Sequence, residues 1–174
     1  MIASARSAGI LMFRRVRGGL ELLLIHPGGP YWAKKDDGAW SIPKGLYEAA
    51  EDPLAAAMRE FEEETGSAPQ GAFIALGRFK QPSGKSIDVW AVESDFDLTG
   101  FKSNLFSMEW PPRSGRQQQF PEADRAAWFE PDDALRKITK GQRSVIAAAR
   151  TAAAAGLTHR ADCTEAVAPR DRAH

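Results

Sequence analysis

Cysteine is nearly missing from this chain: Cys163 is the only one in 174 residues. An internal disulfide framework and a multi-cysteine zinc site are therefore excluded, and a reducing compartment is the natural setting. Long hydrophobic runs are also missing, since no stretch nears the roughly 18–20 apolar residues that cross a bilayer. Net charge is zero, with 23 basic residues against 23 acidic ones, so bulk electrostatics favour neither a long nucleic-acid surface nor an anionic membrane. Any affinity for phosphate must be local. Near the start, apolar residues 9–13 precede Arg14, Arg15 and Arg17. A secretory leader places its charge ahead of a longer apolar core, so a cytoplasmic protein is expected.

What is present fits one globular domain, with 43% hydrophobic and 26% charged residues. Residues 7–16 and 20–26 read as strands around a Gly18-Gly19 turn, followed by a loop rich in Gly and Pro over 26–38. Residues 52–65 read as a helix. Asp52 is placed to cap it, Pro53 occupies the first turn, Gly66 ends it, and Leu54, Met58, Phe61 and Thr65 recur at helical spacing. Strands follow over 72–79 and 87–92, a short one over 126–129, and helices over 131–138 and 142–155. Residues 98–119 carry no clear period, and Pro111, Pro112 and Gly115 mark a loop there. Residues 1–155 are expected to form the domain, and 156–174, polar and without periodicity, a disordered tail. Strands bracketing a helix, with closing helices after them, imply an α/β layered fold with a mixed sheet.

The chemistry lies in one stretch, from Gly45 to Gly66. On the helix Glu60 stands three residues from Glu63 and four from Glu64, which puts three carboxylates on one face. Like charges so spaced cost an isolated helix about 0.2–0.5 kcal/mol per pair. Arg59 answers Glu63 at four residues but cannot neutralise all three. A hard divalent cation can, because it takes several oxygen ligands. Phe61 faces the opposite side, which docks the helix and fixes the direction of its acids.

Gly45, five residues, Glu51, seven residues, then Arg59-Glu60-Phe61-Glu62-Glu63-Glu64-Thr65-Gly66 resembles the Nudix box. Phe61 stands where a branched aliphatic is usual and Ser67 where an apolar residue is usual, and both are packing positions. The resemblance covers residues 5–155 in element order. It implies the Nudix fold, a mixed sheet between helices, and a hydrolase of diphosphate linkages that uses Mg2+, with Mn2+ as a substitute. Carried over, Glu60, Glu63 and Glu64 are metal ligands, Gly45 lends its carbonyl, and Glu51 and Arg59 brace loop and helix. One of the glutamates, or an acid outside the box, activates the water.

Ahead of the box, Trp40-Ser-Ile-Pro43-Lys44-Gly45 is similar to the same stretch in Nudix hydrolases of diadenosine and diphosphoinositol polyphosphates. That likeness implies a polyphosphorylated substrate contacted by Lys44, with Trp40 of the same stretch as a candidate substrate-binding residue. A small nucleotide is the expected partner, with neither nucleic acid nor membrane: a dinucleoside polyphosphate first, with a nucleoside triphosphate, ADP-ribose or a nucleotide sugar as alternatives. A non-catalytic nucleotide-sensing module is the reading of another class. Glu122, shortly before Trp128, resembles the extra catalytic glutamate of several Nudix enzymes, with Asp124 and Asp132 as weaker competitors. His26 reads as a structural turn residue. Trp32, Trp40, Trp90 and Trp110 are each able to stack a base, and the sequence does not choose among them. Gly84-Lys85-Ser86 is no P-loop, because Phe79 stands where its first glycine belongs and a strand follows.

Overall fold

The computed structural model describes residues 6–162, the side chains of 157–162 excepted. β1 (Arg6–Val16) is the centre of the molecule. It pairs antiparallel with β2 (Gly19–Pro27) at one end and with β3 (Lys44–Tyr47) at the other, and parallel with β5 (Ser86–Glu93) along its other edge. β4 (Phe73–Lys80) closes one side of the sheet and β8 (Ala123–Phe129) the other, giving the order β4-β5-β1-β2-β8 with β3 on β1. The sheet is mixed, as expected.

Because side chains alternate along a strand, β1 feeds two cores at once. Ala8, Ile10 and Met12 meet α1 (Pro53–Thr65) together with Leu23, Val92 and Phe96. Leu11 and Phe13 face the other way, toward Ile138, Val145 and Ile146 of the segments formed by α2 (Pro131–Lys137) and α3 (Arg143–Asp162). Helices on both faces explain why residues 10–13 are continuously apolar: neither side of the strand meets water.

α1 starts and stops as its sequence dictates. The Asp52 carboxylate accepts from the Ala55 N–H at 2.9 Å, and Gly66, at φ 86°, turns left-handed while its N–H donates to the Glu62 carbonyl. Its buried face is rotated from the expected one. Ala56, Ala57, Phe61 and Thr65 are buried, while Leu54 and Met58 are half-buried, because the small alanines let the helix sit close to β1.

Two segments differ from expectation. Residues 98–119 contain a separate hairpin, β6 (Leu105–Glu109) with β7 (Gln117–Pro121). Helix α3 also runs past the expected end at residue 155, through Gly156 to Asp162. An interior glycine costs a helix about 1 kcal/mol, which the preceding run of alanines tolerates. The rest of the expected tail, residues 163–174, lies outside the described residues. Among the described residues no helix is long and apolar enough to cross a membrane.

Candidate active site

β3 brings the start of the box against β1, with Lys44 opposite Gly9 and Gly45 opposite Ala8. The loop after β3 then turns into α1, so the first residues of the box face Glu60 and Glu64, about two and three turns along the helix. The Glu60 carboxylate lies over the α-carbon of Gly45, in the space a β-carbon would take. The Lys44 N–H donates to Glu64 Oε2 at 2.8 Å. Burial pushes the Glu64 carboxyl up to about 8; the Lys44 N–H and its charge oppose the shift, and the charges of Glu60 and Glu122 add to it. Glu60 is also raised, first by burial, with Arg59 opposing and Glu63 and Glu122 adding.

Arg59 braces this arrangement. Its Nε and Nη2 donate to the two oxygens of Glu51 at 3.2 and 3.3 Å. Nη1 donates to Glu60 at 2.8 Å and reaches Glu63 at 3.5 Å. The bonds to Glu51 and Glu60 hold the guanidinium above the usual arginine range. One cation thus ties the loop acid Glu51 to two acids of the helix; the spacing pointed to Glu63 alone, and the family resemblance to Glu51.

Glu122 acts on the cluster through its charge, which raises both Glu60 and Glu64, and it is also tied to it through the main chain. The Asn104 N–H donates to the Glu63 carbonyl at 2.9 Å, and the Glu122 N–H donates to the Asn104 carbonyl at 2.8 Å. On its far side the Glu122 carbonyl accepts from the Gly28 N–H at 3.0 Å. Asn104 was not picked out in the sequence, since a main-chain bridge leaves no side-chain signature. The two competing acids are occupied elsewhere: Asp124 with His26 at 2.8 Å, and Asp132 with Arg150 at 3.3 Å.

Two of the neighbouring residues are structural. His26 is fully buried, with Nδ1 on Asp124 at 2.8 Å and Nε2 on the Lys35 carbonyl at 2.6 Å. Trp40, expected to contact substrate, is corrected here. It is 4% exposed, its Nε1–H donates to Asp36, and its ring is packed edge-on by His26 and Phe129. No ring face is left for a ligand. Tyr31 and Trp32, by contrast, are 56% and 39% exposed.

A divalent cation fits this chemistry. Glu60, Glu64 and Glu122 gather three carboxyl groups near a glycine that leaves room for one of them, and their mutual repulsion and burial raise Glu60 and Glu64, a cost that a cation would relieve. Among the described residues no three acidic, histidine or cysteine side chains already converge as a closed ligand set. Glu60 and Glu63 point instead to Arg59, so a bound cation would compete with the guanidinium for them.

The sequence model of the NUDIX domain matches residues 3–149, most of the chain. The chain belongs to the Nudix family. Its box keeps every ionisable position, and the protein is a Nudix pyrophosphohydrolase, acting on phosphoric anhydrides. Nudix structures of similar fold include an Ap4A hydrolase from C. elegans, at 22% identity and TM-score 0.57, with 87% of this chain and 98% of that one aligned. The NUDIX domain of Shewanella oneidensis NrtR, solved with ADP ribose, gives 16% identity and TM-score 0.58, over 87% of this chain and 89% of that one. A mutT/nudix family protein from Listeria innocua gives 17% and 0.57, over 88% and 96%. At these identities the likeness concerns the Nudix fold. No curated protein sequence matches the chain.

Proposed function

We propose that the chain hydrolyses a diphosphate linkage in a dinucleoside polyphosphate, with Mg2+ held by Glu60, Glu63, Glu64 and the Gly45 carbonyl, and Mn2+ as a substitute. The observation that carries this reading is the position of Lys44. Its N–H is bonded to Glu64 and its charge acts on the same carboxylate, so its ammonium adjoins the place where the scissile diphosphate would sit. A fixed positive charge beside the box favours substrates with more phosphates, since each added charge gains from it. The C. elegans Ap4A hydrolase among the similar folds agrees with that direction.

Bound there, the cation would clamp the diphosphate and neutralise charge on the departing phosphate. The chain's own residues then divide the remaining work. Glu122, or a box glutamate, takes the proton of the attacking water, while Arg59 and Glu51 keep the loop fixed against the helix. The substrate is a small soluble nucleotide in the cytoplasm, and neither a nucleic acid nor a membrane is required.

One observation favours a second reading, in which ADP-ribose is the substrate or a sensed ligand, because the NrtR domain of similar fold was solved with ADP ribose. A panel of diadenosine tetra- and pentaphosphate, ADP-ribose, a nucleotide sugar and nucleoside triphosphates, assayed with Mg2+, separates the readings. Highest kcat/KM on the diadenosine compounds supports the proposal. Faster cleavage of ADP-ribose or a triphosphate replaces it, and binding without turnover points to a sensing module.

A further inference from the structure

The loop between β2 and the box carries two large aromatics in water, Tyr31 at 56% and Trp32 at 39% exposure, and neither belongs to the core. Such a loop would ordinarily be free to bury them. Here it is pinned throughout. Gly28 donates to the Glu122 carbonyl, Trp32 to the Gly29 carbonyl, and Lys35 to the Trp32 carbonyl. His26 holds the Lys35 carbonyl from below. The β6–β7 hairpin presses on the same loop, with Phe106 against the α-carbon of Gly29 and Trp110 edge-on to Tyr31 at 5.3 Å. The two rings are thus held in place and still open to solvent.

Position and charge say what they face. Tyr31 lies three residues beyond Gly28, whose N–H is bonded to Glu122 beside the acidic cluster. Three residues reach at most about 11 Å, so Tyr31 lies no farther than that from the Gly28 that is bonded to the Glu122 main chain. Lys34 and Lys35 follow on the same loop and have no carboxylate partner among the described residues. The Lys35 ammonium lies over the Trp32 ring, 4.6 Å from its centre. An exposed tyrosine ring beside lysines without carboxylate partners suits a planar base joined to phosphates.

We propose that Tyr31, flanked by Trp32 and Lys35 and backed by Trp110, stacks the base of the nucleotide remote from the cleaved linkage. This rests on the dinucleoside polyphosphate reading. The subsite selects substrates that carry a second base, whereas Lys44 responds to phosphate number.

The full chain is assayed with Mg2+ on diadenosine tetraphosphate and on adenosine tetraphosphate, which has the same phosphates and lacks the second base. Tyr31→Ala should raise KM for the diadenosine compound about tenfold, within the range of a lost base stack, and leave its kcat and the constants for adenosine tetraphosphate unchanged. Tyr31→Phe should restore the wild-type values. Equal effects on both substrates, or none, would overturn the subsite while the substrate reading stands. If the wild-type chain cleaves no dinucleoside polyphosphate, the substrate reading itself falls. Tryptophan fluorescence then decides the subsite: quenching by diadenosine tetraphosphate that Tyr31→Ala abolishes supports it, and no quenching overturns it. Tighter binding of a short single-stranded oligonucleotide than of diadenosine tetraphosphate also overturns it.

Discussion

The Glu60 carboxylate occupies the space above Gly45 that any other residue would fill with its β-carbon. The glycine that opens the box and the first acid of its helix are therefore fitted to each other. Gly45→Ala should push Glu60 away from the cluster. Turnover is expected to fall at least about 100-fold, the scale of a lost electrostatic group, and the thermal shift given by Mg2+ should shrink. Wild-type kinetics in this variant would remove Gly45 and Glu60 from the active site.

A related expectation concerns the acids alone. Glu63 is exposed enough that Glu63→Gln leaves the packing of α1 untouched, and relieving like-charge repulsion does not destabilise the helix. Turnover should drop about 100-fold or more while the unfolding midpoint stays within a degree or two. Near-normal rates in both Glu63→Gln and Glu64→Gln would place the chemistry elsewhere.

Glu64 sets a pH dependence. Its carboxyl sits at about 8 when folded, against an ordinary value of 4.5. Between those values the folded state holds a proton that the unfolded chain has released. Stability of the metal-free protein should therefore be greatest below pH 4.5, as far as this group is concerned, and fall as pH rises toward 8. A cation needs the ionised form, so Mg2+ binding at pH 7 should release a proton, seen as a binding enthalpy that varies with buffer ionisation heat. Glu64→Gln should lose that variation, and its persistence would assign the proton to another group.

His26 offers a test of the fold instead of the chemistry. Removing a buried ring that serves both Asp124 and the Lys35 carbonyl takes a partner from each, leaves Asp124 to Arg125 and solvent, and opens a cavity in the core. His26→Ala is expected to lower stability by about 2–4 kcal/mol, measured by denaturant unfolding. A change under about 0.5 kcal/mol would mean that water replaces the ring without penalty.

The helix and the Arg59–Glu63 pair were legible because each depends on residues within a few turns of one another, where spacing fixes the geometry, while the Arg59–Glu51 pair was legible only through the resemblance of the box. The β1 run was legible for the same reason. Trp40 was misread because its burial depends on Phe129, a strand contact about ninety residues away, which no local pattern encodes. The β6–β7 hairpin escaped notice because Gln117, Gln118 and Gln119 show no apolar alternation, and the pairing is stated only by the partner strand. Glu122 could be suspected from its resemblance, yet the bridge that ties it to Glu63 runs through the main chain of Asn104, where side-chain identity is silent.

Lys44 separates substrate choice from catalysis. Its backbone N–H holds Glu64, and a substitution leaves that bond in place while removing the ammonium. Lys44→Met should therefore keep the fold, the metal response and cleavage of short diphosphates. The loss should grow with phosphate number, reaching about 1.5–3 kcal/mol in kcat/KM for diadenosine penta- or tetraphosphate, the worth of a hydrogen bond to a charged group. The side chain alone differs, so the ratio of kcat/KM between a pentaphosphate and ADP-ribose is the quantity to measure. A ratio that falls about tenfold or more assigns polyphosphate preference to Lys44. An unchanged ratio with uniformly lower rates would make Lys44 a partner of the cluster carboxylates and leave phosphate number to be read by other groups.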